Sequence, residues 1–215
     1  MQDIPVQAVS FGRSSIDEQQ EEMEIGIRCF GSTYITPLAE RIRFQEKNGY
    51  SFHSLKVHQH VVGYFSLFRF TPAFQENLLC GTRIERDITI QDVLAFSQQE
   101  PFDIYIDVIV VDPALPRHQR NLYAGLLILY YTDLILHLSH QGFHIEHIYT
   151  VTTTAAGASL SRRMGMQPMP DKSQIPGRIA WACHFKQEGY PIYCQLHQDF
   201  LRYQNKLSSM TMMRD

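Results

Sequence analysis

The stretch that decides the fold is Ile104-Tyr-Ile-Asp-Val-Ile-Val-Val111, followed after a turn by Arg120-Asn-Leu-Tyr-Ala-Gly125. The first segment is almost continuously apolar, as a strand buried on both faces of a sheet is. The second opens a long apolar run, which predicts a helix over residues 122–141. Because a helix N-terminus beside a strand end binds anions, this junction is the first candidate site in the chain.

Strand and helix signals alternate on the C-terminal side of that stretch. The periodicity of apolar residues predicts a strand over residues 144–152, a helix over 155–164, a strand over 178–186 and a final amphipathic helix over 191–207. Residues 208–215 are expected to form a flexible tail.

The N-terminal side begins with a predicted helix over residues 17–30, for which Ser15 is the expected N-cap. A second short helix is predicted over residues 37–47, and a hairpin over residues 51–58 and 61–70. Residues 71–101 then break the pattern. We expect a helical insertion there, containing a helix that a capping box at Thr89-Ile-Gln-Asp92 opens and that extends to residue 98.

Strands that alternate with helices after an antiparallel hairpin indicate an α/β fold in the wide sense, an α+β mixed sheet with helices on both faces. We expect residues 1–207 to form a single domain that carries the insertion and an extra C-terminal helix.

The composition is that of an ordinary globular domain, because 44% of the 215 residues are hydrophobic and the formal net charge is −3. This balance gives no indication of nucleic acid or an anionic membrane as a partner. The cysteines are far apart and fit no CxxC pattern, which is typical of free thiols in a reducing compartment. They are Cys29, Cys80, Cys183 and Cys194.

The first fifteen residues do not resemble a signal peptide. The most apolar run, residues 123–138, is shorter than a membrane span and contains Asp133 and His137. We therefore expect a soluble protein of the cytoplasm.

Three motifs together resemble the GNAT superfamily of acyl-CoA-dependent N-acyltransferases: Val111-Asp-Pro113, Arg120-Asn-Leu-Tyr-Ala-Gly125 and Leu160-Ser-Arg-Arg-Met-Gly-Met166. Arg120 matches the leading basic residue of the family's first motif and Gly125 its last glycine. The sequence departs from the family in three ways. Tyr123 replaces the middle glycine, the turn from residue 111 to 120 is longer, and Ser161 stands where the family often has a tyrosine that protonates the departing thiolate.

The resemblance implies a GNAT-like fold and transfer of an acyl group from acyl-CoA, first of all acetyl-CoA, to a primary amine by direct attack. Backbone amides at the helix start would bind the pyrophosphate, with added charge from the arginines. The end of the central strand would pair with the pantetheine arm, while Thr154 would bond the pantetheine amides or cap the helix. The expected cofactor-binding residues are Ile109, Val110, Val111, Arg117, Arg120, Asn121, Leu122, Tyr123, Ala124, Gly125 and Thr154.

Asp107 is the candidate general base, since it is a carboxylate inside an otherwise apolar strand and an acidic residue serves this role at this place in some family members. Burial would raise its pKa towards neutral pH. The alternative is a structural role, in which Asp107 caps a loop or pairs with an arginine. Ser161 is the candidate acid, acting through water or as part of a relay because its own hydroxyl is a poor acid. Tyr149, Tyr123 and Tyr105 are alternatives that are more often packed aromatics.

Four histidines around the second predicted strand do not indicate a metal site, because the helix end at Gly142 separates them: His137, His140, His144 and His147. Two other functions stay open. One is a non-catalytic acyl-CoA-binding or regulatory module on the same fold, and the other is an interaction protein without a cofactor site. The expected partners are a small-molecule or peptide amine acceptor and a second copy of the chain, docked through residues 191–207.

Overall fold

The computed structural model describes the backbone of residues 9–212 and the side chains of residues 9–199, 201 and 202. The described strands are β1 (Val9–Arg13), β2 (Phe52–Val57), β3 (His60–Phe70), β4 (Val93–Leu94), β5 (Phe102–Val111), β6 (Ile145–Thr152), β7 (Gln167–Met169) and β8 (Ile179–His184). The described α-helices are α1 (Ile16–Phe30), α2 (Leu38–Lys47), α3 (Pro72–Cys80), α4 (Arg117–His140), α5 (Ala155–Arg163) and α6 (Tyr190–Met212).

The strands form one mixed sheet in the order β1-β2-β3-β5-β6-β8-β7, with β4 paired to the end of β3. Strands β5 and β6 are parallel, whereas their neighbours in the sheet pair antiparallel. Helix α4 connects the two parallel strands, as a crossover helix does. The predicted mixed α/β sheet is therefore confirmed.

Each face of the sheet has its own hydrophobic core. On the α4 face, which α4, α5 and α6 cover, Tyr131 and Tyr193 are fully buried and their hydroxyl oxygens lie 2.9 Å apart. On the α1 face, which α1, α2 and α3 cover, Phe44 and Phe68 pack edge to face. Burial on both faces explains why β5 is apolar along nearly its whole length.

Helix α4 is the one described helix that is long and apolar enough, by length and composition alone, to cross a membrane. In this fold it lies across the sheet, and its apolar side chains, Leu127 and Ile135 among them, are buried in the core of the α4 face. A core helix passes the same test of length and composition as a membrane span.

Most of the predicted elements are present, with ends that differ by a few residues. The predicted N-cap of the first helix is confirmed: Ser15 Oγ accepts from the Glu18 amide, and the Glu18 side chain accepts from the Ser15 amide. This capping box satisfies two donors that a helix start leaves free. Helix α4 begins five residues earlier than the predicted residue 122, so the free amides at its N-terminus lie earlier in the chain than predicted.

The predicted helix over residues 89–98 is wrong. Thr89 donates from its amide and its hydroxyl to the Asp92 carboxylate, which closes a turn, and β4 follows directly. The helix of this segment is α3 instead. Pro72 stands at its first turn and Gly81 ends it at φ 77°, the usual signals for the two helix ends.

Besides β4, two short strands were not predicted, because neither shows an apolar alternation long enough to indicate a strand. β1 is an edge strand that pairs with β2, and β7 pairs with β8. Helix α6 extends to Met212, beyond the predicted end at residue 207, and the flexibility of residues 208–215 stays a prediction. Residues 1–8 and 213–215 lie outside the described residues, and the single domain over residues 1–207 stays a prediction.

Candidate functional site

The parallel strands β5 and β6 are paired over only part of their length. The last paired residues are Ile106 and Thr150, and there Thr150 Oγ1 donates to the Ile106 carbonyl oxygen (2.9 Å). β5 continues to Val111 with β3 as its partner. Backbone groups of residues 107–111 that face β6 therefore lack a strand partner and need another hydrogen-bonding group. An extended ligand is able to pair with such an edge.

A β-bulge lies where this split begins. Two consecutive residues of β3 pair with Ile106 and Val108, so Asp107 is the extra residue of β5. A bulge bends its strand and re-aims a side chain. Asp107 bonds to Ser66 of β3, and Val108 packs with α1, so both lie on the α1 face at the opening between the strands.

A groove of about 380 Å³ runs along the unpaired end of β5 on the α4 face. Helix α4 contributes residues spaced by three or four, which is one face of a helix. The apolar residues that line the groove come from β5, α4 and α5, and both arginines lie in the first turn of α4. The lining residues are Ile109, Val110, Val111, Arg117, Arg120, Asn121, Ala124, Ile128 and Leu160.

Four of the predicted cofactor residues do not line this groove. Tyr123 is 2% exposed and packs in the core, while Leu122 and Gly125 are exposed elsewhere on the helix surface. A Cβ built on Gly125 would meet nothing within 4 Å. Thr154 is the N-cap of α5, where its hydroxyl accepts from the Gly157 amide (3.1 Å), which is the capping alternative.

The amides available to an anion also differ from the prediction. Pro116 is the N-cap of α4, and the first helical hydrogen bond runs from the Arg120 amide to the Pro116 carbonyl (3.0 Å). Amides from residue 120 onwards are therefore inside the helix, and the free ones are those of residues 117–119. The prediction that the amides of residues 121–125 point out of the helix start is wrong, because the helix begins one turn earlier.

Asp112 holds the turn that joins β5 to α4. Its amide donates to the Val62 carbonyl oxygen, and its Oδ1 accepts from the Ala114 amide. Arg28 of α1 donates to both carboxylate oxygens of Asp112 (3.1 and 2.8 Å). A bidentate pair of this kind fixes geometry. The turn is thus anchored from both sides, and it sets where α4 begins beside the strand end.

Asp107 is partly buried, and Ser66 Oγ donates to its Oδ2 at 2.7 Å. Burial raises the pKa of Asp107 to about 6, with a smaller upward contribution from the charge of Glu85. The Ser66 hydrogen bond and the charge of Arg41 act in the opposite direction. A carboxylate with this pKa is ionised at neutral pH yet still able to accept a proton, which suits a general base.

The predicted acid Ser161 is 3% exposed and does not line the groove; its Oγ donates to the Gly157 carbonyl oxygen one turn earlier in α5 (3.1 Å). The three alternative tyrosines are also absent from the lining. Tyr105 is buried and donates to Glu85, and Tyr123 is core. Tyr149 lies where β5 and β6 are still paired, and burial raises its pKa to about 12. None of these groups is placed to protonate a thiolate in the groove.

The motif at residues 160–166 forms the end of α5. The Gly165 amide donates to the Arg162 carbonyl oxygen and the Met166 amide to that of Ser161, the pair of bonds that defines a Schellman cap. Gly165 has φ 78°, the left-handed region that glycine adopts without strain. This cap positions Leu160 on the groove and buries Met166 in the core. The glycine of this motif is therefore a structural requirement.

The four histidines of the metal hypothesis do not converge. His137 bonds to Gln141, and His140 to Tyr190. However, a different group of described residues brings possible ligand atoms within 4.8 Å of one another: Asp103, Glu146 and His147. Hydrogen bonds explain much of this group, because Asp103 accepts from the amide of His147 and from Gln75. The absence of a metal site stays a prediction.

Several residues at the site were not predicted from the sequence. Ile128 lines the groove one helical turn beyond Ala124, and the 3.6-residue period of α4 is a signal that could have found it. Ser66 and Glu85 act on Asp107 from β3 and from the insertion. No local pattern connects them to Asp107, since they approach it only in the folded chain.

No protein-family model and no curated protein matches this chain. Several solved structures do match this chain in fold. Ard1 from Thermoplasma volcanium matches at 13% identity over 81% of this chain and 95% of that one (TM-score 0.50). An N-acetyltransferase from Staphylococcus aureus Mu50 matches at 11% identity over 82% and 98% (TM-score 0.50).

A third match is yncA from Salmonella typhimurium, a putative acetyltransferase solved with its cofactor acetyl-CoA, at 12% identity over 84% of this chain and 96% of that one (TM-score 0.50). Structural matches at identities this low show that the fold is shared, but they do not show that the activity is shared. The mixed sheet, its split between β5 and β6 and these likenesses agree with the resemblance that the motifs showed. The chain has the fold of the GNAT superfamily of acetyltransferases.

Proposed function

We propose that the protein transfers an acyl group, first of all acetyl, from acyl-CoA to a primary amine by direct attack. The observation that carries this proposal is the split between β5 and β6, with Asp107 on one side of the opening and the groove on the other. A thioester in the split would be open to an amine on the α1 face. Direct transfer needs no nucleophilic side chain from the protein.

The residues of the groove fit an acyl-CoA. The unpaired backbone of residues 107–111 supplies hydrogen-bonding groups for the two pantetheine amides, and Ile128 and Leu160 supply an apolar wall. The free amides of residues 117–119, with Arg117 and Arg120, suit a pyrophosphate. When bound, acyl-CoA would bring the thioester carbonyl and a thiol leaving group.

Asp107 would take the proton that the amine loses as its nitrogen bonds to the carbonyl carbon. Ser66 would hold the carboxylate in place through its 2.7 Å hydrogen bond. A free amide near Val111 would donate to the carbonyl oxygen as it gains negative charge. The carbon–sulfur bond then breaks, and the thiolate takes its proton from solvent, since no side-chain acid lines the described groove.

Asp107→Asn tests this role. An amide cannot accept the proton, so we expect turnover to fall by roughly 10²- to 10⁴-fold, the usual contribution of a general base. Affinity for acetyl-CoA, measured by calorimetric titration, should stay the same because Asp107 is not part of the groove lining. Asp103→Asn, a carboxylate on the same strand outside the split, is the matched control. Full activity of Asp107→Asn across pH would remove Asp107 as the base.

The pH dependence follows from the same group. Asp107 must be ionised to act, and its pKa is raised to about 6. We therefore expect turnover to be constant above this pKa and to fall about tenfold per pH unit below it. Initial rates of thiol release between pH 4.5 and 8 check this, and in Asp107→Asn this acid limb should disappear.

A non-catalytic acyl-CoA-binding module is the second candidate, and one observation favours it: the hydroxyl of Ser161 is bonded inside α5 and no side-chain acid replaces it in the described groove. Calorimetric titration with acetyl-CoA and desulfo-CoA, followed by thiol release with a panel of amines, separates the two. Binding with turnover supports the enzyme. Binding without turnover for any amine supports the module, and no binding rejects both.

The other expectations stay proposals. The acceptor would be a small-molecule or peptide amine, with no role for nucleic acid or a membrane, and the protein would act in the cytoplasm. A homodimer through α6 is proposed from the amphipathic pattern of that helix alone. Size-exclusion chromatography with light scattering would decide the oligomeric state.

A further inference from the structure

Charged side chains gather around Asp107 on the α1 face, away from the groove. Glu22 of α1 and Arg41 of α2 form a buried ion pair, in which Ser14 also donates to Glu22. The insertion, residues 71–101, brings Glu85 to the same region, where it acts on both Tyr105 and Asp107. This face is the one from which an amine would approach the split.

Glu85 is held firmly in this position. Tyr105, two residues before Asp107 on the same face of β5, donates from its hydroxyl to Glu85 Oε1 at 2.6 Å. Arg178 donates to the same oxygen at 2.8 Å and also to the Leu78 carbonyl oxygen. The Glu85 side chain is still 33% exposed. It is therefore a fixed carboxylate that solvent, or a ligand, is able to reach.

The charges in this region are unequally paired. Arg41 pairs with Glu22 and Arg178 with Glu85, and these two arginines are only 5% and 7% exposed. Asp107 has a hydroxyl partner but no ion pair among the described residues. The two arginines neutralise Glu22 and Glu85, so the negative charge of Asp107 has no paired positive charge among the described residues. Two further cations adjoin Glu85 in the insertion and lie near Asp87: Arg83 and Arg86.

An acceptor that arrives as an ammonium ion would supply the missing positive charge, and it would lose one proton to solvent before its nitrogen attacks the thioester and gives the next proton to Asp107. An acceptor with a carboxylate beside its amine would place a further negative charge near Asp107 and Glu85. The two buried arginines are already paired and nearly inaccessible, so they are poorly placed to receive it, and the exposed Arg83 and Arg86 already face the Asp87 carboxylate. Like charges that face each other at a binding site are a usual source of discrimination.

We propose that Glu85 is a specificity residue of the acceptor site, which together with Asp107 admits amines as ammonium ions and rejects amines whose amine-bearing carbon also carries a carboxylate, as in free α-amino acids. The proposal rests on the proposed function, because it assigns the α1 face to the acceptor. It excludes one large class of amines and leaves decarboxylated amines and side-chain amines of peptides.

Matched pairs of ligands test the proposal without turnover. Tyramine and tyrosine, and phenethylamine and phenylalanine, differ only by one carboxylate on the carbon that bears the amine. Their affinities for the protein with CoA, which carries no acyl group to transfer, are measured by ligand-observed NMR, and again without CoA. We expect the amine of at least one pair to bind the wild type at least tenfold more tightly than the amino acid, and Glu85→Gln to reduce that preference several-fold.

Glu85→Gln keeps an oxygen that accepts from Tyr105 and Arg178, and circular dichroism checks that it folds. Glu100→Gln is the control, since Glu100 is an exposed carboxylate of the same insertion that pairs with Arg69. A second measurement is the pKa of Asp107 by carboxyl ¹³C NMR, which should fall in Glu85→Gln and stay constant in Glu100→Gln. This pKa difference shows that the charge of Glu85 reaches Asp107, whereas the change in ligand preference is the result that a purely structural role of Glu85 would not produce.

Three outcomes would overturn the inference: equal affinity for amines and amino acids in the wild type, an unchanged preference in Glu85→Gln, or no binding of any of these amines. Each is separable from failure of the proposed function. Loss of CoA binding rejects the cofactor groove, whereas these outcomes concern the opposite face and are measured with and without CoA.

Discussion

Two of the motifs that carry the family resemblance differ in how well the structure agrees with them. Residues 160–166 form the helix end that their pattern indicates, with Gly165 in the left-handed region and both bonds of a Schellman cap. Residues 120–125 lie instead inside α4, and Gly125 is an exposed helical residue away from the groove. A motif defined by bonds within six residues is readable from sequence. A motif defined by where a helix begins against a strand is not.

The largest expected difference concerns the arginines of the two stretches. Arg120 lines the groove, whereas Arg163 of α5 is exposed outside it. Arg120→Glu should weaken acetyl-CoA binding by about 10- to 100-fold, because it replaces a charge-assisted bond with a like charge. Arg163→Glu should change affinity little. Calorimetric titration measures both; equal losses would mean that the groove does not hold the pyrophosphate.

Gly165→Ala should destabilise the protein by roughly 1–3 kcal/mol, since a side chain at a positive φ is strained. A Cβ there would also meet Ile192 Cδ1 at 2.4 Å, so the end of the Ile192 side chain would have to move. Urea unfolding gives the free energy of unfolding. A stability equal to that of the wild type would show that the cap at the end of α5 does not need glycine.

Gly125→Ala should do the opposite and raise the free energy of unfolding by about 0.5–1 kcal/mol, the ordinary gain for an exposed helical position. Space for the added methyl group is open. Affinity for acetyl-CoA should not change. A clear loss of affinity would instead support the motif register read from the sequence, in which a ligand approaches the backbone at Gly125.

Some properties of Asp107 can be predicted from the sequence near it, and others cannot. A carboxylate in an apolar strand is visible in the sequence, and its partial burial and raised pKa agree with what that pattern indicates. Its position as the extra residue of a bulge is not visible, because a bulge is a property of the pairing between β3 and β5. The same holds for Ser66 and Glu85, which come from distant parts of the chain.

The clearest wrong prediction is the helix over residues 89–98 in the insertion. The pattern Thr89-Ile-Gln-Asp92 fits a helix start as well as it fits a turn, and local signals do not separate the two. Strand pairing selects the turn and strand over the helix. Val93 is fully buried and pairs with Phe70 of β3, which stabilises the extended conformation of this short segment. The sequence did contain the signals of the real helix, Pro72 at the start and Gly81 at the end.

The sequence by itself determined the elements: a buried central strand, long amphipathic and apolar helices, a capped α1 and a glycine-ended α5, because these depend on propensities and bonds within a few residues. Only the tertiary structure decided the site. The split between β5 and β6, the bulge at Asp107 and the face that α4 presents to the groove depend on strand register and helix position. Contacts between residues far apart in the chain set these, and no local pattern encodes them.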